Sequence, residues 1–213
     1  MSTYILTSMF KNEFDDKFAK RLREIITSRN SFVFIASDFE TNHEKNDTYC
    51  NHWRDMLCDI GIEFKSIFVV DGRITPDEAQ KIVETSDFIW LSGGDTPKQF
   101  GYIKQYGLDT VLKAYSGILF GMSAGSINLS TMAVCSLASG HYVQETYNGL
   151  GCVNITIEPH FSLDKTDEIL QLSEKYKLYG VPDDSAIILH NNEVEFYGDI
   201  FIVENKKINK VTI

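Results

Sequence analysis

The stretch Gly117-Ile118-Leu119-Phe120-Gly121-Met122-Ser123-Ala124-Gly125 frames the rest of the chain. Its first half is a short apolar run of the kind that forms a buried strand. Its second half is a G-x-S-x-G pattern, and the residues after it, 124–131, can begin a helix. A sharp strand-to-helix turn exposes a serine hydroxyl, and glycines flank it because neighbouring backbone leaves no room for a Cβ. The pattern alone arises by chance in about one chain in fifteen of this length. Its weight therefore comes from the strand before it and the helix after it, whose N-terminus favours negative charge beside the serine.

Outward from this turn, four similar runs precede it: Tyr4-Ile-Leu-Thr-Ser-Met9, Phe32-Val-Phe-Ile-Ala36, Ser66-Ile-Phe-Val-Val70 and Phe88-Ile-Trp-Leu91. They are short, β-branched or aromatic, and nearly continuous. That is the signature of parallel strands covered on both faces. Amphipathic segments lie between them. Phe14, Phe18, Leu22, Ile25 and Ile26 share one helical face, and a second helix is expected over much of 43–60. Thr75-Pro-Asp-Glu78 spells a helix start with a capping box, and Thr96-Pro-Lys-Gln99 repeats the grammar with Thr96 as the expected cap. Strand–helix alternation of this kind predicts a doubly wound α/β sandwich with a mostly parallel sheet.

The C-terminal third reads differently. Short strands are expected at 153–157, 185–189, 194–197 and 201–203, with a helix near 166–177 and turns at Asn191-Asn192 and Gly198-Asp199. The last strands are expected to extend the same sheet. With no linker, repeat or low-complexity segment visible, residues 1–213 read as a single catalytic domain.

Composition narrows the function. With 43% hydrophobic and 23% charged residues over 213 positions, the chain has an ordinary soluble make-up and length enough for a sizeable core. A formal net charge of -10 argues against nucleic acid or an anionic membrane as partner. No basic, apolar leader opens the sequence and no run approaches a membrane span. Cys50, Cys58, Cys135 and Cys152 form no C-x-x-C pair, so a zinc or redox site is not expected, and a cytoplasmic location is. No metal or organic cofactor is expected.

A serine nucleophile needs a base. Of five histidines, His43 and His52 fall in a polar helical region, and His141 and His190 sit beside Gly140 and Asn191 in turns. His160 follows the run at 153–157, so a strand would carry it to the sheet edge. A third group should orient the imidazole. Between Ser123 and His160 the only carboxylates are Glu145 and Glu158, which fits poorly with the Ser–acid–His order of the α/β-hydrolases. Val181-Pro-Asp-Asp184 supplies Asp183 and Asp184 at a later strand–loop junction, so the order Ser–His–Asp fits better. One strand before the elbow, Leu91-Ser-Gly-Gly-Asp-Thr-Pro97 also joins a strand to a helix. Were the two strands neighbours, the Gly94 and Ala124 amides would form an oxyanion hole. The sequence contains no G-x-G-x-x-G, which disfavours a dinucleotide site.

Together, Ser92-Gly-Gly-Asp-Thr96, Gly121-Met-Ser-Ala-Gly125, Glu158-Pro-His-Phe161 and Gly180-Val-Pro-Asp183 resemble the aspartyl dipeptidase (peptidase E) and cyanophycinase family of serine peptidases. The resemblance implies a flavodoxin-like sandwich similar to the class I glutamine amidotransferases, with the nucleophile on an elbow. It implies Ser123 as nucleophile, His160 as base, and Gly94 and Ala124 as oxyanion donors. Asp183 falls where the dipeptidase has a glutamate, with Asp184 and Glu158 as rivals for the third member. The sequence departs from the family at Phe161-Ser-Leu-Asp-Lys-Thr-Asp-Glu168, which lacks the arginines associated with binding the substrate's aspartate. Lys165 there does not replace a bidentate arginine. The expected activity is hydrolysis of short peptides with altered specificity. An esterase or amidase using the same residues, and a catalytically silent binding protein on the same scaffold, are the alternatives. The oligomeric state has no sequence signature.

Overall fold

The computed structural model describes residues 2–191 and 193–212. In chain order its first half runs β1 (Thr3–Thr7), α1 (Asp16–Ile25), β2 (Ser31–Ile35), α2 (His43–Asp59), β3 (Ser66–Val70), α3 (Pro76–Glu84), β4 (Phe88–Leu91), α4 (Thr96–Gln105), α5 (Leu108–Ala114), β5 (Ile118–Met122) and α6 (Ala124–Leu129). The second half runs β6 (Met132–Cys135), β7 (Glu145–Asn148), β8 (Thr156–Pro159), α7 (Asp167–Leu172), β9 (Leu178–Val181), β10 (Ala186–His190), β11 (Glu193–Tyr197), β12 (Phe201–Glu204) and β13 (Lys207–Lys210).

The principal sheet has seven strands in the order β11-β10-β1-β5-β4-β2-β3. The five strands read from the N-terminal runs are mutually parallel, while β10 and β11 pair antiparallel on the β1 side. Their continuous apolar character follows from burial on both faces: every residue of β4 is inaccessible to solvent. This is the expected doubly wound α/β sandwich. Its centre is aromatic, with Trp90 stacked on Phe120 at 3.9 Å between centroids. Each such fully buried side chain contributes roughly 2–3 kcal/mol relative to exposure.

Helix α1 buries the predicted face, Phe18 and Leu22, and Asp15 caps it by accepting from the Lys17 and Phe18 amides. The capping box of α3 forms as written, from Thr75 and Glu78. Helix α4 departs from the expectation. Its cap is Asp95, whose carboxylate accepts from Lys98 N, so Thr96 is already helical. Gln99 turns into the core instead, donating to the Ser92 carbonyl at 3.0 Å. An aspartate one residue upstream competes for the same orphan amide and carries full charge, which a threonine hydroxyl does not.

The C-terminal expectation is half corrected. Strands β10 and β11 do extend the principal sheet, but β8 and β12 belong to a second, four-stranded sheet ordered β13-β12-β9-β8. It has a satellite core of Val134, Phe161, Ile169, Leu178, Phe201 and Val203. Their short apolar runs mark these as strands but do not say which sheet receives them. The expected helix at 166–177 is shortened to α7. Ser173 ends it because its carbonyl and hydroxyl are taken by Asn205 N and Lys206 N from the β12–β13 turn. No described helix is long and apolar enough to cross a membrane.

Candidate active site

Strand β5 lies between β1 and β4, with Gly121 opposite both Leu6 and Leu91. The elbow therefore rises between two strand ends. The reason for its glycines is direct: a Cβ on Gly121 would sit 2.7 Å from Ser126 N, and one on Gly125 would collide with the Leu91 carbonyl. Ser123 itself adopts φ 49° and ψ -105°, a strained conformation for a side-chain-bearing residue. The strain is held by Ser123 N–H donating to the Thr7 carbonyl at 2.9 Å. The buried Ser126 hydroxyl adds a second clip, accepting from Thr7 N within donating reach of the Thr7 and Gly121 carbonyls.

Three chain segments meet at the serine. Ser123 Oγ is 3.0 Å from His160 Nε2. His160 follows β8 immediately and also has positive φ, 55°. Its Nδ1 lies 2.7 Å from Asp183 Oδ1, two residues past the end of β9. With Nδ1–H donated to the carboxylate, Nε2 is left to accept the serine proton. Burial raises the Asp183 pKa, but hydrogen bonds from Ser8 and His160 and the charges of His160 and Lys11 outweigh it and hold the carboxyl below its ordinary value.

Ser8 is a member of this site that sequence reasoning missed. It is fully buried at the end of β1. Its hydroxyl accepts from the His160 backbone N–H at 2.8 Å and donates to Asp183 Oδ1 at 2.8 Å. The one available signal was its place: it ends the first apolar run, at the same sheet edge as the elbow.

The rival carboxylates point elsewhere. Asp184, at φ 61°, accepts from Lys11 N through its side chain and donates its own N–H to the Met9 carbonyl. Glu158 lies beneath the site with its carboxyl on Ser136 Oγ, and burial, with the Glu168 charge adding to it, pushes its pKa up to about 8. The other histidines are engaged away from Ser123. His43 meets the Phe39 carbonyl, His52 packs on Trp53, and His190 meets Thr3 at the opposite end of β1. His141 reaches Thr96. Cys50 and Cys135 are buried, and desolvation pushes both thiols up to about 12, so neither competes as a nucleophile. Among the described residues no group of three or more His, Cys, Asp or Glu side chains is arranged to hold a metal ion.

A cleft of about 490 Å³ opens beside Ser123 and His160. Gly94, at φ 138°, also lines it, and a Cβ on its neighbour Gly93 would lie 3.5 Å from Ser123 Cβ. As the first residue of α6, Ala124 has an N–H that no intrahelical carbonyl can take. Helix α2 also lines the cleft, through the buried Asn46 and Trp53 and the exposed Tyr49. The lining cations are Lys45 and Lys98, and Lys98 is paired with Asp38 at 3.2 Å. Lys165 is exposed and lies outside the cleft lining.

The model of peptidase family S51 matches residues 5–197. The chain belongs to peptidase family S51. It is thereby a serine hydrolase of the peptidase E type. Two solved structures share its fold. A peptidase from an acI-B1 Actinobacterium superposes with a TM-score of 0.70 at 17% identity, over 100% of this chain and 94% of that one. A candidate peptidase E protein from Listeria monocytogenes EGD-e superposes with a TM-score of 0.67 at 20% identity, over 92% of this chain and 98% of that one. No curated protein matches the sequence.

Proposed function

We propose that this S51 member hydrolyses short peptides with Ser123 as nucleophile, His160 as general base and Asp183 as its orienting acid, within one domain over residues 1–213. The observation that carries the reading is the unbroken chain from Ser123 Oγ through both His160 nitrogens to Asp183, at 3.0 and 2.7 Å. Ser123 Oγ attacks the amide carbon as His160 Nε2 takes its proton. The resulting oxyanion is held by the Gly94 and Ala124 amides. His160 then protonates the leaving nitrogen and the C–N bond breaks. Water, deprotonated by His160, opens the acyl-enzyme and frees Ser123. Asp183 keeps the imidazole in the productive tautomer and offsets its positive charge while the proton is held.

The cleft volume suits a ligand of dipeptide size. Its lining contains no arginine, and the segment after His160 has none either, so a preference for aspartate is not part of the reading. The test is a fluorophosphonate probe with a dipeptide and aminoacyl-amide panel, run on wild type and Ser123→Ala. Wild type should be labelled and should hydrolyse neutral dipeptides at least as fast as aspartyl ones. Equal labelling of the two proteins would exclude Ser123.

A further inference from the structure

The turn that carries Gly94 has two glycines in succession, Gly93 and Gly94, neither restrained by a side chain of its own. Where its amide points depends on the anchors at either end. On the strand side Ser92 is fixed from the core: its N–H donates to the Ile35 carbonyl at 3.0 Å, and its carbonyl accepts from Gly125 N at 3.2 Å. On the helix side the anchor is Thr96, 1% exposed. Its carbonyl accepts from Asn128 of α6 at 3.1 Å, and its hydroxyl lies 2.8 Å from His141 Nε2.

His141 belongs to the loop joining β6 to β7, whose tip is exposed at Tyr142 and Val143. Its Nδ1 sits 3.1 Å from the Ser136 carbonyl, which only accepts, so Nδ1 carries the proton and Nε2 receives the Thr96 hydroxyl. The loop is itself pinned. Ser136 Oγ bonds Glu158, two residues before His160, and Glu168 of α7 accepts from the Leu137 and Ala138 amides at 3.0 and 2.9 Å. Glu158 is nine-tenths buried or more, and its second carboxyl oxygen has no partner among the described residues. The loop thus ties the strand that delivers the base to the helix that follows the oxyanion turn.

We infer that His141 is a positioning residue for the reaction: through Thr96 it holds the Gly93–Gly94 turn so that the Gly94 amide faces the oxyanion beside Ser123. The inference rests on the oxyanion role of Gly94 in the function proposed above. Displacing a donor without deleting it costs less than its removal, so an effect of roughly ten-fold is expected.

The experiment measures kinact and KI of fluorophosphonate labelling for wild type, His141→Ala, Thr96→Val and Thr96→Ser, with rates normalised to the labelled fraction. His141→Ala and Thr96→Val should lower kinact about ten-fold with KI within about two-fold, and Thr96→Ser, which keeps the hydroxyl, should restore it. Wild-type kinact in both His141→Ala and Thr96→Val would overturn the inference. A merely structural contact would reduce the folded fraction and leave the normalised rate unchanged. If wild type is not labelled at all, the reading of Ser123 fails separately. Amide exchange then tests the anchor: faster exchange at Gly93 and Gly94 in Thr96→Val but not in Thr96→Ser supports it, and unchanged exchange overturns it.

Discussion

The buried hydroxyl of Ser8 donates to Asp183 Oδ1 at 2.8 Å while accepting the backbone N–H of His160 at the same distance. One small side chain thus fixes both the Asp183 carboxylate and the His160 backbone. Ser8→Ala should leave the His160 amide and one Asp183 oxygen short of a buried partner, at a cost of about 1–3 kcal/mol of stability. It should also loosen the imidazole and lower kcat roughly ten-fold with KM little changed. Denaturant titration and steady-state kinetics on the best dipeptide check the two effects.

Asp183→Asn keeps the shape of the site and removes its charge. An amide NH2 facing His160 Nδ1 favours the wrong tautomer, so kcat should fall by about 10⁴ while the fold survives. The depressed pKa of Asp183 adds a linkage effect. Its contribution to stability is present above the unfolded value of 3.8 and is lost as pH falls through the lower folded value. Thermal unfolding from pH 5 down to pH 2 should show wild type losing stability relative to Asp183→Asn.

Gly125→Ala tests the elbow. The added methyl meets the Leu91 carbonyl, which is backbone and cannot turn aside. Helix α6 must shift, moving Ala124 N and Ser123 together. We expect destabilisation of about 1–3 kcal/mol, as for overpacked cores, and probe labelling slowed by at least ten-fold. Retention of both stability and labelling rate would show that the elbow is looser than its close contacts require.

Glu158 predicts a pH dependence of the opposite sign from Asp183. Its carboxyl titrates near 4.5 when exposed and near 8 when folded, chiefly through burial. Between those values the folded protein holds a proton that the unfolded chain releases, so stability falls as pH rises across the window. Glu158→Gln has no proton to lose. From pH 5 to pH 9, wild type should lose a few kcal/mol relative to Glu158→Gln. Paired denaturant midpoints at the two pH values measure this directly.

Local chemistry made much of this legible. The Thr75 capping box depends on near neighbours alone, the elbow pattern and apolar strand runs are written in contiguous residues, and each took the form expected of it. The same locality misled at α4, where Asp95 displaced Thr96 as the cap and freed Gln99 for the core. It also could not assign β8 and β12 to a sheet, because a short apolar run marks a strand and not its partner.

By itself the sequence determined the doubly wound sandwich, the elbow at Ser123 and a short set of candidate groups around it. Only the tertiary structure shows which of these lie together. Asp183 and Asp184 are adjacent and chemically identical, yet a positive φ at Asp184 sends its side chain to Lys11 N, leaving Asp183 on His160. Ser8 and His160 are 152 residues apart, and Thr96 and His141 are 45. Hydrogen bonds over such separations impose no periodicity and no spacing on the chain. They exist only after elements of separate sheets have packed against one another.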